Sequence, residues 1–172
     1  FTPIMEVGPS DDKGLWDLKN GKEITAAWRF YAIIHDHLAD YTYECARQTH
    51  EKGTPVMRPL FLIYPDQQDS WDDWQSYLYG PDILVSPIWK PGREVTRHVY
   101  LPAGETWVDA WTGKKHEGGK RLEVHCPVYQ IPIFSRFGAA VELPDLKKLW
   151  KESLEKVENL PKMSKLEARE KW

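Results

Sequence analysis

Cysteine is scarce in this sequence, since only Cys45 and Cys126 occur among 172 residues. Two cysteines are too few for the disulfide framework that small secreted domains use. Cys45 falls within a predicted helix and Cys126 within a predicted strand. This usage favours a reducing compartment, and we expect the protein to be cytoplasmic.

Long apolar runs are also lacking. No stretch approaches the ~20 consecutive apolar residues that a membrane-spanning helix needs. The first residues, FTPIMEVG, have neither the basic start nor the small-residue cleavage site of a signal peptide. We therefore expect no insertion into a membrane.

An excess of positive charge is the third absence. The chain has 23 basic and 26 acidic residues, which gives a net charge of -3. A protein that wraps a polyanion carries a basic patch or stripe. We therefore expect no nucleic-acid partner.

Aromatic residues, in contrast, are abundant. The sequence contains 9 Trp residues, and aromatic residues make up 13% of the chain. Such content suits either a densely packed core or a surface that stacks on sugar rings, and core is the more common use. The composition of 41% hydrophobic and 28% charged residues is typical of a globular protein. At 172 residues, the chain is long enough for one full core and an appendage.

The first 52 residues predict a strand, a loop and a long helix. Phe1 to Gly8 is an apolar run that ends in Gly-Pro. A buried strand must pair with another strand, and no matching partner lies nearby. We therefore expect residue 1 to be a cut edge of a longer chain. Pro9 to Lys22 is a loop rich in Asp, Gly and Lys. Apolar residues then recur every three or four positions from Glu23 to Lys52, which predicts one amphipathic helix of about eight turns. Gly53 supplies its stop.

The stretch from Gly53 to Trp89 contains the most specific sequence motifs of the chain. Two apolar runs, Val56 to Tyr64 and Ile83 to Trp89, predict buried strands. The connection between them is dense in Pro, Asp and Trp. It predicts a short helix over Trp71 to Tyr77, with Asp residues in its first turn.

Short strands with Gly and Pro punctuation follow Trp89, and the last part is helical. The predicted strands are 95–101, 106–110, one after 115, 121–126, 128–134 and 138–141. This spacing is typical of an antiparallel sandwich. From Asp145 the helical period returns until Pro161, and Met163 to Trp172 predicts a further turn or two.

The predicted fold is therefore mainly β with α. An antiparallel β-sandwich is preceded by a strand, a loop and a long helix, and is followed by a C-terminal helix. We divide the chain into residues 1–52, a sandwich domain at 53–143, and a helical tail at 144–172. The tail is expected to strap the sandwich or to contact another part of the protein or another subunit.

Residue chemistry alone reveals no complete catalytic constellation. His35 and His37 lie two apart on a helix, so their imidazoles diverge and cannot share an ion, and His37 is expected to reach Asp40 or Tyr41. The adjacent pairs Asp11-Asp12 and Asp72-Asp73 diverge in the same way, whereas glycosidic hydrolysis needs carboxylates on both sides of a bond. No P-loop, nucleophile elbow or dinucleotide fingerprint is present. We expect no metal and no cofactor.

A series of short motifs resembles one family over about residues 1 to 141. The motifs are GTPVMRPL from Gly53, YPD from Tyr64, YLYGPDILVSPI from Tyr77, VYLPAG from Val99, WVDAWTG from Trp107 and QIPIF from Gln130. Together they resemble glycoside hydrolase family 31, the α-glucosidase and α-xylosidase family. The resemblance implies that residues 1–52 are the last strand and helix of a (β/α)8 barrel, and that the β-sandwich behind the barrel follows.

The resemblance also implies where the chemistry lies. The aspartate nucleophile and the aspartate acid/base of this retaining family belong to earlier barrel strands, upstream of Phe1. What this chain offers the sugar pocket is Glu6 to Trp16, at the C-terminal end of the last strand. We therefore expect Glu6, Asp11, Asp12 and Trp16 to contact the carbohydrate substrate.

One departure from the family pattern bears on specificity. Many members end this strand with an Arg, one intervening residue and a His that contacts the sugar. Glu6 and Gly8 occupy those positions here. Replacing a hydrogen-bond donor by a negative charge implies a different hydroxyl pattern or substituent on the sugar.

Two hypotheses of different class follow. In the first, the chain is the C-terminal part of a retaining α-glycosidase and is inactive alone. In the second, it is a stand-alone sandwich module that binds carbohydrate or a partner protein through exposed residues such as Trp71, Trp74 and Trp111. Binding of oligosaccharides measured on the tryptophans tests the second hypothesis.

Overall fold

The computed structural model describes residues 1–4 and 21–159, and every structural statement below refers to them. Five helices occur in this part of the chain: α1 (Gly21–His37), α2 (Ala39–Lys52), α3 (Leu60–Ile63), α4 (Gln68–Asp72) and α5 (Leu146–Glu158). None of these helices is long and apolar enough to span a membrane.

Eight strands are described, and every strand pair among them is antiparallel. They are β1 (Met57–Pro59), β2 (Tyr77–Tyr79), β3 (Ile83–Val85), β4 (Glu94–Leu101), β5 (Thr106–Asp109), β6 (Lys115–Glu117), β7 (Lys120–Pro127) and β8 (Ile133–Arg136). The order β1-β2-β3-β8-β5-β6 forms a six-stranded sheet, and β4 pairs with β7 in a second sheet. The predicted fold class, an antiparallel sandwich with flanking helices, is confirmed.

Both faces of the six-stranded sheet are buried, and the alternation of side chains along its strands decides which face each residue lines. Tyr79 of β2 and Ile83 of β3 pack with α1, α2 and α5 in one hydrophobic cluster. Leu78 and Leu84, one position away on the same strands, pack with β4 in the other cluster. The molecule therefore has three layers: helices, the large sheet and the small sheet.

The long predicted helix is divided at Leu38. Leu38 has φ -89° and ψ 7°, outside the helical range, and it separates α1 from α2. Hydrogen bonds nevertheless run from the Leu38 N–H to the Ile34 carbonyl and from the Thr42 N–H to the Leu38 carbonyl. The prediction of one continuous helix was wrong at this residue, although helix covers Gly21 to Lys52 on either side of it.

The first predicted strand of the central stretch is much shorter than expected. Met57–Pro59 pairs with β2, and the chain then turns into α3. Pro59 has no N–H to extend a ladder, and the turn buries Leu60 completely between the two sheets. The apolar run from Val56 to Tyr64 is therefore strand and then helix.

The short helix in the Asp-rich connection lies earlier than predicted. It occupies Gln68–Asp72, with Asp69 in its first turn as expected, and Tyr77 already begins β2. Asp73 is buried, and its carboxylate accepts hydrogen bonds from Ser76 Oγ and from the Tyr100 N–H. These tertiary contacts end the helix at Asp73.

Three other predicted strands also differ from the structure. Phe1 to Ile4 is not in a strand, and the rest of that predicted strand lies outside the described residues. Strand β8 begins at Ile133 instead of Val128, and Gly138 to Val141 is irregular. The domain boundaries drawn from the sequence stay predictions.

Helix α5 packs against α1. The Trp150 ring stacks on Tyr129 at a centroid distance of 4.2 Å and meets Phe30 of α1 edge-on at 5.9 Å. Asp145 caps the helix, because its carboxylate accepts a hydrogen bond from the Lys148 N–H. The helical prediction from Asp145 is confirmed as far as Glu158.

Candidate functional site

The four residues predicted to contact substrate lie outside the described residues. Glu6, Asp11, Asp12 and Trp16 all fall between positions 5 and 20, and their role stays a prediction. The structure does describe the residues on either side of this segment, Phe1 to Ile4 and the start of α1 at Gly21. The candidate site is therefore approached through what holds its flanks.

The backbone of Phe1 and Thr2 is fixed on β2. The Tyr77 hydroxyl donates a hydrogen bond of 2.7 Å to the Phe1 carbonyl. The Tyr79 hydroxyl lies 3.3 Å from the Thr2 carbonyl, and its ring meets the Phe1 ring edge-on. Tyr77 and Tyr79 face the helical layer because they are two apart on one strand. The large sheet thus holds the chain just before the predicted sugar-contacting segment.

Helix α2 joins the same contact. Tyr79 Oη lies 2.5 Å from Thr42 Oγ1. The Tyr41 hydroxyl donates to the Tyr79 carbonyl and accepts a hydrogen bond from the Asp82 N–H, each at 3.1 Å. We call the group Tyr41, Thr42, Tyr77 and Tyr79 the tyrosine seam. It joins the N-terminal residues, α2 and the hairpin of β2 and β3.

The seam hydroxyls are suited to holding structure. Burial raises the pKa of Tyr77 to about 12. Burial is also the main reason why the pKa of Tyr41 and that of Tyr79 lie above the ordinary value for tyrosine. All three phenols stay protonated at neutral pH, so they act as neutral hydrogen-bonding groups and not as catalytic bases.

Gly80 allows the seam to close. It has φ 62°, and a Cβ built at this position would lie 2.3 Å from Tyr41 Oη and 2.6 Å from Cys45 Sγ. No L side chain fits this space or favours this backbone conformation. The sequence motif YLYG indicated the strand and its glycine. The contact between Gly80 and Tyr41, which lies far earlier in the chain, is visible only in the tertiary structure.

Arginines engage Asp73, Asp82 and Glu105, whose side chains are buried or partly buried. Arg97 contacts Asp73 at 2.7 Å, with both side chains largely buried. Arg136 contacts Glu105 at 2.5 Å and Asp82 at 3.8 Å. Asp82 and Glu105 share the Arg136 guanidinium, so all three carboxylates take part in ion pairs within the chain.

Residues 1–4 and 21–159 contain no group of three or more His, Cys, Asp or Glu side chains that could hold a metal ion. His37 Nε2 lies 2.8 Å from the Glu142 carbonyl, so its partner is neither Asp40 nor Tyr41, as the sequence had suggested. Both cysteines are free and buried. Burial raises the pKa of Cys45, and that of Cys126 to about 11, which makes both thiols poor nucleophiles at neutral pH.

A family model described as the glycosyl hydrolase family 31 C-terminal domain matches residues 53–141. These limits begin at the glycine that ends α2 and include all eight strands. The motifs on which the sequence resemblance rested lie within this range. The predicted resemblance to this family is confirmed.

Several curated proteins are similar to the chain. An alpha-xylosidase from Saccharolobus solfataricus is 37% identical over 144 residues, covering 83% of this chain and 19% of the relative. A sulfoquinovosidase from Agrobacterium fabrum is 34% identical, covering 79% of this chain and 20% of the relative. The chain thus spans about a fifth of the length of these curated relatives.

Solved structures agree with this picture. A GH31 alpha-xylosidase from a soil metagenome, complexed with xylose, superposes with a TM-score of 0.65 at 34% identity, over 74% of this chain and 18% of that structure. The GH31 alpha-xylosidase of Xanthomonas citri gives a TM-score of 0.66 at 31% identity, over 73% of this chain and 14% of that structure. Most of the chain therefore shares its fold with part of these GH31 structures.

Proposed function

This chain belongs to glycoside hydrolase family 31, and from that premise we propose that it forms the C-terminal part of a retaining α-glycosidase. Hydrolysis would proceed by double displacement through a covalent glycosyl-aspartate. The nucleophile and the acid/base would be aspartates on barrel strands that precede Phe1. Two findings support this placement: the relatives are about four times as long as the chain, and Asp73, Asp82 and Glu105 are engaged by arginines.

The observation that carries the proposed role of this part is the tyrosine seam. It fixes Phe1 and Thr2 on β2 through the hydroxyls of Tyr77 and Tyr79. Residues that contact a sugar need a rigid support, because small displacements of a binding group are costly in rate. We propose that the sandwich supports the segment carrying Glu6, Asp11, Asp12 and Trp16, which contacts the carbohydrate.

Specificity would follow from the start of that segment. Glu6 and Gly8 stand where many members have a donor pair. A carboxylate accepts hydrogen bonds from sugar hydroxyls and repels an anionic substituent. We propose a neutral sugar with a hydroxyl pattern other than that of an ordinary glucoside.

Turnover should require the preceding barrel. The purified 172-residue chain should release no nitrophenol from 4-nitrophenyl α-glucoside or α-xyloside, whereas a longer protein that carries the barrel should release it from at least one aryl α-glycoside. Release is measured by absorbance. Sustained turnover by the chain alone would refute the placement of the aspartates, and an inactive but folded longer protein would refute the glycosidase proposal.

A second candidate function is glycan or partner binding by the sandwich itself. Trp71 and Trp74 are 49% and 69% exposed, as this hypothesis requires. Trp111 is only 5% exposed and stacks on Phe30 in the core, so the prediction that it is an exposed tryptophan was wrong. The exposure of Trp71 and Trp74 supports this second candidate function.

Two expectations remain as proposals. We propose a cytoplasmic location, which the two free cysteines support. We also propose that the part of the tail beyond its packing against α1 contacts the barrel or another subunit. The exposed, charged outer side of α5, which includes Lys148, Lys151 and Glu155, is available for such a contact.

A further inference from the structure

The indole of Trp71 is held as a rigid platform on the surface. Its ring stacks on Phe61 with centroids 4.7 Å apart and planes inclined by 18°. The stack covers one face of the indole, while the residue as a whole remains about half exposed. The opposite face of the ring is therefore open to solvent.

The polar edge of the indole is fixed as well. Trp71 Nε1 donates a hydrogen bond of 2.9 Å to the Pro65 carbonyl. Pro65 and Phe61 both precede α4, whereas Trp71 lies within it, so the helix and its approach are tied together through this side chain. Because the ring is already ordered, the Trp71 side chain loses little further conformational entropy when a ligand stacks on it.

Polar side chains lie beside Trp71 along α4 and on the neighbouring strand β7. Gln68, one turn earlier on α4, donates its amide N–H to the Asp72 carboxylate at 3.1 Å. Arg121 of β7 contacts Asp69 at 2.8 Å and Asp72 at 3.8 Å. The side chains of Arg121, Asp69 and Asp72 are 39%, 50% and 56% exposed, so part of each is accessible to a ligand.

Arg121 is itself oriented by the sheet below. Its guanidinium lies over the Tyr100 ring, 5.8 Å from the centroid, and the Tyr100 hydroxyl donates to Gln67 at 2.8 Å. The Tyr100 ring and the hydrogen bond from Arg121 Nε to the Asp69 carboxylate together restrict the guanidinium. The polar groups beside Trp71 are thus preorganised from two elements, α4 and β7.

The charge of this surface selects among ligands. Two carboxylates, Asp69 and Asp72, face one guanidinium, so the local charge is not positive and does not favour an anionic group. An open indole face favours the C–H face of a pyranose, and adjoining carboxylate, amide and guanidinium groups pair with its hydroxyls. A purely apolar peptide side chain would leave these polar groups without partners.

We propose that Trp71, with Gln68, Asp72 and Arg121, binds one pyranose unit of a neutral oligosaccharide. The inference deepens the second candidate function, glycan binding by the sandwich, and does not depend on the α-glycosidase proposal. Phe61 acts as a positioning residue beneath the indole.

The test uses the ¹⁵N-labelled 172-residue chain titrated with maltotetraose and with isomaltotriose, followed on the indole N–H resonances. We expect the Trp71 indole to shift saturably, with a dissociation constant on the order of 1 mM. Trp71→Ala lacks this indole and is followed on the backbone amide resonances instead, and it should weaken binding at least about tenfold. Because Trp71 is exposed, this variant should keep the far-ultraviolet circular dichroism of the parent.

Trp89→Ala is the matched control. Trp89 is also more exposed than Trp71, and it makes none of the aromatic stacks found in the described part of the chain. Its removal should leave the titration unchanged. Arg121→Gln should weaken sugar binding severalfold, since it removes a fixed fork of donors while keeping an amide.

The outcomes separate the possible occupants. No saturable shift at the Trp71 indole with either oligosaccharide, or equal loss of binding in Trp89→Ala, would overturn the proposal. So would tighter binding of a sulfated oligosaccharide than of the neutral ones. A dimer in sedimentation that Trp71→Ala dissociates would assign the platform to a second copy of the chain instead. None of these results alters the turnover test, so failure of either proposal is recognised separately.

Discussion

At the scale of single residues, Gly80 is a position where the folded structure leaves no room for a side chain. The glycine lets β2 turn into β3 directly beside Tyr41 and Cys45. Tyr41 cannot easily move away, because its hydroxyl is held by the Tyr79 carbonyl and the Asp82 N–H. One missing methyl group therefore permits the contact between α2 and the sheet.

Gly80→Ala should lower the free energy of unfolding by about 2 to 4 kcal/mol, because it combines a positive φ with overpacking against Tyr41. Gly53→Ala is the control. Gly53 also has a positive φ, of 73°, but nothing lies within 4 Å of the position that an added methyl group would take, so the loss should be about 1 kcal/mol. Urea unfolding of both variants measures the difference, and equal losses would contradict the steric argument.

At the scale of elements, α5 is held by its cap and by one large side chain. Asp145 accepts a hydrogen bond from the Lys148 N–H at the start of the helix. Trp150 is inserted between Tyr129 and Phe30, and so connects the helix to the loop before β8 and to α1. The cap stabilises the helix locally, whereas the tryptophan stabilises its docking.

Removing the two groups should therefore have unequal effects. Asp145→Ala should cost about 0.5 to 2 kcal/mol, the usual range for a lost N-cap. Trp150→Ala should cost about 3 to 5 kcal/mol, because it empties a buried aromatic cluster. Lys151→Ala, on the exposed side of α5, should stay within about 0.5 kcal/mol. Thermal and urea unfolding would report all three, and a Trp150→Ala loss no larger than that of Asp145→Ala would show that α5 is not docked as described.

At the scale of the whole molecule, buried tyrosines link the layers. Tyr31 donates to the Tyr129 carbonyl and ties α1 to the loop before β8. Tyr41, Tyr77 and Tyr79 form the seam on the same face of the large sheet, and Tyr100 lies on the small sheet. Burial, the largest cause in each case, raises the pKa of every one of these phenols.

This common shift predicts loss of stability in alkali. A tyrosine in the unfolded chain ionises near its ordinary pKa of about 10, whereas folded Tyr77 ionises only at about 12. Between these values the unfolded chain releases protons that the folded chain retains, so the free energy of unfolding falls as the pH rises. Stability should be intact below about pH 10 and should decline from about pH 10 to 12.

Urea unfolding at a series of pH values measures this decline. Tyr77→Phe should make the fall shallower, because one of the retained protons is removed. The variant should also lose stability at neutral pH by about 0.5 to 1.5 kcal/mol, since the hydrogen bond to the Phe1 carbonyl is lost. A free energy of unfolding that is constant from about pH 8 to about 12 would contradict the burial of these phenols.

Local pattern was enough for those features that depend on neighbouring residues. Helical spacing of apolar residues predicted helix on both sides of Leu38 and from Asp145 onward, and Gly and Pro punctuation predicted the short antiparallel strands. The ordered motifs between Gly53 and Phe134 predicted the family. Each of these signals is carried by residues a few positions apart, where helical or strand geometry relates sequence distance directly to space.

The stretch from Gly53 to Trp89 shows where local pattern fails. Its apolar residues are compatible with strand or helix, and only the burial of Leu60 between the sheets and the engagement of Asp73 by β4 decide where each element ends. A short apolar run does not by itself distinguish a strand from a helix, because it is too short to show either period. Trp71 and Trp111 illustrate the same limit, because the indole that stacks on Phe61 is exposed and the one that stacks on Phe30 is buried.

The sequence by itself thus determined the class of fold, the family, and the segment proposed to meet the sugar at Glu6, Asp11, Asp12 and Trp16. The tertiary structure alone decided the tyrosine seam, the partners of the charged side chains and the open platform at Trp71. The physical reason is the distance along the chain between the residues that interact. Helix and strand periods relate residues that are a few positions apart. Tyr77 and Phe1, or Arg121 and Asp69, come into contact only after the chain has folded.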